Sequence, residues 1–265
     1  MPHFIIDAGY FVGRMEKNWS KYSKGKNMRY WQTEYNEGRI SAEERTLRIK
    51  KIFKNDLGYI QMRMDEIGDI ESILVCYDGI YGRRKRGEIY PLYKMNRSNI
   101  LAFEHKGIDI RKRIRKCGFD PNSLFDCSVS IYEDYKEADD LLIEQANKLL
   151  LQDKKVVLMS KDSDLFQIIG MNNNLILHDF TKIIDAEYIE KELQILPSQY
   201  LYFKCLVGDK SDNIPGVKGI GEAKARKLIS KYPTMDEIPL DYFTKEVWAE
   251  IEMWLKLITL PFDNN

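Results

Sequence analysis

Seven carboxylates stand where short apolar runs end or where helices begin, and two more stand in the linker to a glycine-rich hairpin. Residues 4–6, Phe-Ile-Ile, run into Asp7, and residues 72–77 run into Asp78. Glu137-Ala138-Asp139-Asp140 opens a segment with apolar residues at helical spacing, Leu141, Leu142, Ala146, Leu149 and Leu150. Residues 156–159, Val-Val-Leu-Met, lead to Asp162 and Asp164, and Asp209 and Asp212 precede a glycine-rich run. One aspartate at a strand tip is an ordinary cap or turn former, so the repetition carries the weight. Three acids in four residues at 137–140 exceed what a helix dipole needs. Like charges brought that close cannot all stay ionised without counter-cations. Oxygen-only donors favour Mg²⁺, with Mn²⁺ as a substitute, over zinc. Two such ions about 4 Å apart can activate a water and stabilise the leaving oxygen of a phosphodiester. His3, His105 and His178 lack ligand spacing, and no Ser-His-Asp set, Cys-His set or Walker loop is visible.

Something must bring these acids together. Apolar runs at 4–6, 72–77, 125–131, 156–159 and 175–177 read as strands, with helical spacing between most of them. Residues 41–64 are helical, with Leu47, Ile49, Ile52, Phe53, Leu57, Ile60 and Met64 on one face and a capping box at Ser41–Glu44. Alternating strands and helices predict an α/β fold with a mostly parallel sheet, whose strands end on one edge. Residues 185–206 read as helical, and a helix opens near Glu222. Phe243, Val247, Trp248, Ile251 and Trp254 recur at helical spacing as lobe packing. Residues 10–40 interleave aromatics (Tyr10, Phe11, Trp19, Tyr22, Tyr30, Trp31, Tyr35) with basic residues. They fit either stacking on single-stranded bases or a segment packed by its own rings.

At 265 residues the chain can bury a large core. Its 44% hydrophobic and 31% charged residues are those of a soluble globular protein. No apolar run is long enough to span a membrane, and the first residues do not read as a secretion signal. Four scattered cysteines without a C-x-x-C pair read as reduced thiols of a cytosolic protein. The formal net charge is zero, but its distribution is uneven. Residues 83–116 hold 12 Lys/Arg against 3 Asp/Glu, and residues 126–144 hold 7 Asp/Glu against 1 Lys. Basic surface beside an acidic pocket suits an enzyme that grips phosphates and binds cations.

After Asp209 and Asp212 comes Gly216-Val217-Lys218-Gly219-Ile220-Gly221, then Lys224, Arg226, Lys227 and Lys231. Glycines let the backbone approach a ligand, and a helix N-terminus presents unpaired N–H groups to anions. The run from Val207 to Gly221 resembles the signature of the structure-specific 5′-nucleases. These are the flap endonucleases, the 5′-exonuclease domain of bacterial DNA polymerase I, and small bacteriophage relatives called ribonuclease H. The likeness extends from Phe4 to about Tyr232, and size points to the bacteriophage members. It implies a PIN-like α/β domain at 1–185 with a helical arch at about 83–118. A helical lobe at 186–265 would grip duplex DNA by a helix–hairpin–helix. One metal site would use Asp7, Asp78, Glu137 and Asp139, and the other Asp140, Asp162, Asp164, Asp209 and Asp212.

The element Tyr93-Lys94-Met95-Asn96-Arg97 resembles the family segment that brings a Lys and an Arg to the scissile phosphate. Lys94 and Arg97, with Asp139 and Asp162, are therefore the expected catalytic residues. The expected DNA contacts are Arg83, Arg84, Lys85, Arg86, Gly216, Lys218, Gly219, Gly221 and Lys224, with K⁺ at the hairpin. Expected partners are branched or nicked duplex DNA, RNA–DNA hybrids, and single-stranded-DNA-binding or other replication proteins. The protein is expected to be monomeric, in a bacterial or phage-infected cytoplasm, removing RNA primers and processing flaps. Two other readings stay open: a PIN-like single-strand ribonuclease, which the hairpin at 216–221 disfavours, and a non-catalytic branched-DNA binder, for which the acids would be dispensable.

Overall fold

The computed structural model describes residues 1–17, 28–97 and 99–262. Among them a six-stranded sheet has the order β3-β2-β1-β4-β5-β6. Its strands are β1 (His3–Asp7), β2 (Ser72–Tyr77), β3 (Ser128–Tyr132), β4 (Val156–Met159), β5 (Leu175–His178) and β6 (Ile183–Ile184). All neighbours are parallel except the short antiparallel β6. Strand order reverses between β1 and β4, where such sheets open a crevice at their C-terminal edge. Asp7 therefore ends the central strand at the switch point.

Both sheet faces are covered, so the strands read as continuous apolar runs rather than alternating ones. Phe4 and Ile6 point to one side with α1 (Ala8–Lys17) and α3 (Ala42–Ile67). Ile5 and Leu158 point to the other, against α6 (Ala138–Leu150). Phe4, Ile5 and Ile6 are fully buried, each worth roughly 1.5–3 kcal/mol of apolar burial. The second core continues without a break into α8 (Tyr200–Val207), α9 (Glu222–Lys231) and α10 (Lys245–Ile258) through Phe203, Leu228 and Trp254. The C-terminal helices are thus fastened to the face of the sheet that carries α6.

Local rules explain most boundaries. Ser41 Oγ accepts the Glu44 N–H at 3.0 Å to start α3, which ends at Gly68. Leu47, expected on the buried face, is 67% exposed; at this end of α3 it is Arg45 and Arg48 that meet the preceding helix, over Tyr35 and Trp31. The third strand begins three residues later than expected; Leu124 and Phe125 turn into the core before it. The 185–206 segment is two helices, α7 (Ala186–Leu193) and α8, separated at Gln194 in a left-handed conformation.

The aromatic segment resolves in favour of packing where it is described. Tyr10 stacks on Phe180 at 5.0 Å, and Phe11 meets Phe53 edge-on. In α2 (Met28–Asn36), Trp31 and Tyr35 lie under the guanidinium groups of Arg48 and Arg45. Trp19 and Tyr22 lie outside the described residues. The basic residues at 98–118, with few large apolar side chains among them, read as a segment that buries little. Instead the stretch 83–118 holds two short helices, α4 (Arg84–Ile89) and α5 (Ile110–Lys116), and inserts Tyr93, Ala102, Ile114 and Cys117 into the interior. Leu92, Ile100 and Ile108 of the same stretch stay exposed.

Candidate metal and nuclease site

The cleft at the C-terminal edge of the sheet has a volume of about 700 Å³. Asp7, Asp78, Glu137, Asp139 and Asp162 line it, with Arg83, Lys94, Arg97, His105 and Lys161. Each acid has a local reason to be there. Asp7 closes β1, and its Oδ1 accepts the Tyr10 N–H at 3.1 Å at the start of α1. Its Oδ2 accepts the Ser160 hydroxyl at 2.9 Å. Asp78 follows β2 and accepts the Ala138 N–H at 2.8 Å, tying β2 to the start of α6. A methyl group on Gly9 would lie 3.3 Å from Asp7 Oδ1 and 3.5 Å from Asp78 Oδ2, so these two carboxylates share one small space.

Their electrostatics follow. Burial, then the charge of Asp78, pushes the Asp7 carboxyl up to about 7. Burial, then Glu137, raises Asp78, and burial, then Asp162 and Asp7, raises Asp139. Glu137 is the exception. Burial opposes its charge most, yet Lys94 and Arg86 outweigh it together and hold the carboxyl down at about 2. Lys94 Nζ donates to Glu137 Oε1 at 2.6 Å, and Tyr93 Oη donates to Oε2 at 2.8 Å.

Asp164, Asp209 and Asp212 form a second group beside the first, each offering an oxygen within 4.8 Å of the others. Asp162 links the groups, since its Oδ1 accepts the Asp164 N–H at 2.9 Å. Lys204 on α8 enters this triad. Its ammonium pairs with Asp164 and lies 2.7 Å from Asp209 Oδ2. Sequence reading missed it; the available signal was one lysine in the otherwise apolar helix Tyr-Leu-Tyr-Phe-Lys-Cys-Leu-Val. Asp212 is buried and lies 3.5 Å from Lys94 Nζ and 3.3 Å from Arg97 Nη2. Lys94 is buried too, whereas the Arg97 side chain is 42% exposed at the rim. These pairs leave Asp7, Asp78, Asp139 and Asp162 without a salt bridge among the described residues.

Three expectations need correction. Asp140 does not face the cleft. Arg86 holds both its oxygens, at 2.7 and 2.8 Å, on the far side of the α6 N-terminus. Arg86 is itself 2% exposed and so cannot touch DNA; the clamp on Asp140 and Glu137 uses it up. Gly216 is buried, and a Cβ there would lie 2.4 Å from the Val207 carbonyl carbon. Its glycine serves the close approach of the hairpin to the end of α8. Arg83 does line the cleft, Arg84 pairs with Glu88, and Lys85 is half-buried. Lys218, Gly219, Gly221 and Lys224 are exposed, with Gly219 at φ +82° and Lys224 Nζ on its carbonyl at 2.8 Å.

The donor set fits a hard divalent cation: all oxygen, several carboxyls raised by burial and then by mutual repulsion, and a hydroxyl and amides holding the remaining lone pairs.

Comparison with known proteins agrees with this geometry. Residues 51–194 match the family described as 5′-3′ exonuclease, N-terminal resolvase-like domain. Residues 195–252 match 5′-3′ exonuclease, C-terminal SAM fold. The flap endonuclease Xni of Aliivibrio fischeri is 30% identical over 197 residues, 74% of this chain and 73% of that protein. The thermostable DNA polymerase I of Thermus thermophilus is 36% identical over 102 residues, 38% of this chain but only 12% of the polymerase. Among solved structures, a bacteriophage T5 flap endonuclease in complex with DNA and metal ions superposes with a TM-score of 0.59. It is 18% identical, and the match covers 97% of this chain and 88% of that one; it supports the fold. The chain belongs to the 5′-3′ exonuclease and flap endonuclease family, with a resolvase-like α/β domain followed by a SAM-like helical fold, and it is a nuclease.

Proposed function

We propose that the protein is a divalent-metal-dependent 5′-nuclease that hydrolyses phosphodiester bonds at 5′ flaps, nicks and RNA–DNA hybrids. One observation carries the reading: five acids from four places in the fold, the ends of β1, β2 and β4 and the α6 N-terminus, line one cleft, with Lys94 and Arg97 on its wall and a second acid triad alongside. Asp7, Asp78, Asp139 and Asp162 would hold the first cation, with Glu137 at its edge, and Asp164, Asp209 and Asp212 the second. Mg²⁺ suits the donors and Mn²⁺ would substitute. Bound cations would supply Lewis acidity toward the scissile phosphate and acidify water.

The chain's own groups do the rest. Lys94 is anchored between Glu137 and Asp212, so its ammonium meets a phosphate oxygen without reorganising. Arg97, fixed by the Ser211 carbonyl at 3.1 Å, adds charge from the rim. Asp7 is buried and Asp139 half-buried, which limits how far bulk water screens them. Lys218, the open backbone at Gly219 and Lys224 form the face offered to a duplex, joined to the cleft by the Asp209–Asp212 turn. Because Lys224 Nζ already caps the Gly219 carbonyl, K⁺ at the hairpin would share it. The division into a nuclease domain at 1–185 and a duplex-gripping lobe at 186–265, an arch at about 83–118, primer removal, replication-protein partners, a monomeric state and a cytoplasmic site of action are part of the same proposal. No helix of the described residues is long and apolar enough to cross a membrane.

A labelled 5′-flap duplex incubated with Mg²⁺ or with EDTA tests the activity. Cleavage with Mg²⁺ alone, lost in Asp162→Asn with flap binding kept, is the expected result. Metal-independent cleavage, or preference for single-stranded RNA, would overturn it, the latter in favour of the PIN-like ribonuclease.

A further inference from the structure

Residues 257–262 lie beyond the stretch that matches the family, which ends at 252. They end α10 and turn back behind the acid cleft, reaching the residues that hold its acids by two routes. The first runs through Arg86. Its Nε donates to the Leu257 carbonyl at 2.9 Å, and its guanidinium lies 4.5 Å from the centre of the Phe262 ring. The Phe262 N–H donates to Asp140 Oδ1 at 2.8 Å, on the carboxylate that Arg86 grips with both terminal nitrogens. Arg86 Nη1 also donates to Glu137 Oε2 at 3.1 Å. The second route runs through Gln167. Its Nε2 donates to the Ile258 carbonyl at 3.1 Å, and its Oε1 accepts the Leu260 N–H at 2.9 Å. The same Nε2 donates to the Asp164 backbone carbonyl at 2.8 Å.

We infer that residues 257–262 form a strap that sets the two halves of the metal site, Glu137 through Arg86 and Asp164 through Gln167. This rests on the metal-dependent reading above and deepens it. A planar guanidinium with its donors in fixed directions has one orientation that serves all these acceptors. Leu257 and Phe262 select that orientation, and the guanidinium in turn aims the Glu137 carboxylate. A buried cation that loses part of its shell draws in water or turns toward its remaining partners, and Glu137 would turn with it. Gln167 has its amide committed on both ends, so releasing the strap frees the backbone that presents Asp164. Arg86, Asp140 and Gln167 are therefore positioning residues; none lines the cleft. Losing a group that orients a metal ligand typically costs about 10–100-fold in metal affinity.

The test is Mn²⁺ affinity measured by calorimetry on the full chain without DNA, in Phe262→Ala, Phe262→Tyr, Gln167→Ala and Glu137→Gln. We expect Phe262→Ala and Gln167→Ala each to weaken binding about tenfold. Phe262→Tyr should restore it, and flap binding in EDTA should stay within about twofold of wild type. Should Phe262→Ala fail to fold, Gln167→Ala decides alone. Wild-type Mn²⁺ affinity in the folded strap variants, with Glu137→Gln weakened, overturns the strap and leaves the metal reading intact. Wild-type affinity in Glu137→Gln as well overturns the role of Glu137 and the strap with it.

Discussion

Lys94 Nζ stands 2.6 Å from Glu137 Oε1, with both side chains almost wholly buried. A lysine in that position is held charged by the acids around it; burial opposes the charge, but Asp212 and Glu137 outweigh it and raise its pKa well above the ordinary value. A fixed cation of this kind stabilises charge that develops on a phosphate without moving to do so. Lys94→Met should lower the single-turnover cleavage rate by about 10²–10³-fold while flap affinity in Ca²⁺ changes little. A fall in affinity with an unchanged rate would assign Lys94 to binding instead.

Asp7 gives a pH dependence with a definite sign. Its folded pKa, about 7, lies above the ordinary carboxylate value of 3.8. Across that window the folded chain keeps a proton that the unfolded chain releases. Its contribution to stability is complete below about 3.8 and is lost as pH rises through about 7. Without divalent ions, Asp7→Asn should therefore raise the melting temperature at pH 8 by more than at pH 5, on the order of a few °C. An equal or negative change at both pH values would show that the carboxylate is not strained by its neighbours.

Lys204 predicts how far the second acid group depends on metal. Its ammonium meets Asp164 and Asp209, and its side chain is 8% exposed. Breaking a buried pair from one side typically costs roughly 3–5 kcal/mol, because the partner stays behind. Lys204→Met should lower apo stability on that order, and added Mg²⁺ should recover more of it than it adds to wild type. A Mg²⁺ response no larger than that of wild type, read by thermal unfolding, would mean that no cation can take the place of the lysine.

How much of this was legible beforehand depends on what kind of information each feature carries. The strand tips at Asp7, Asp78 and Asp162 were readable because apolar runs followed by acids are local patterns, and a parallel sheet places their ends on one edge. Asp140 was misread because its neighbour Asp139 is chemically identical. Only the rotation of α6 decides which of the two meets the cleft and which meets Arg86. Arg86 looked like part of a surface run of four basic residues; its burial comes from α10 and Phe262, far away in the chain. Lys204 was hidden for the same reason, since its acidic partners come from residues 40 positions before it and five after it. Helical periodicity marked α3 correctly but could not show that Arg45 and Arg48, rather than Leu47, meet the preceding helix.

The two hairpin glycines separate packing from recognition. Gly216 and Gly219 both have positive φ, +71° and +82°. A Cβ on Gly216 would strike backbone at the end of α8, which no side-chain rotation can relieve, whereas nothing lies within 4 Å of the one on Gly219. Gly219→Ala carries the left-handed penalty alone, about 1–2 kcal/mol, and places a methyl on the face offered to DNA. Gly216→Ala carries that penalty and also pushes the hairpin away from Val207, shifting the Asp209–Asp212 turn. Gly216→Ala should therefore lower the melting temperature more and weaken Mn²⁺ binding. Gly219→Ala should leave Mn²⁺ binding near wild type and weaken duplex binding. Thermal unfolding, Mn²⁺ calorimetry and nicked-duplex binding on the two variants check this. If both lose duplex binding alone, Gly216 contacts DNA after all and its burial is relieved in the complex.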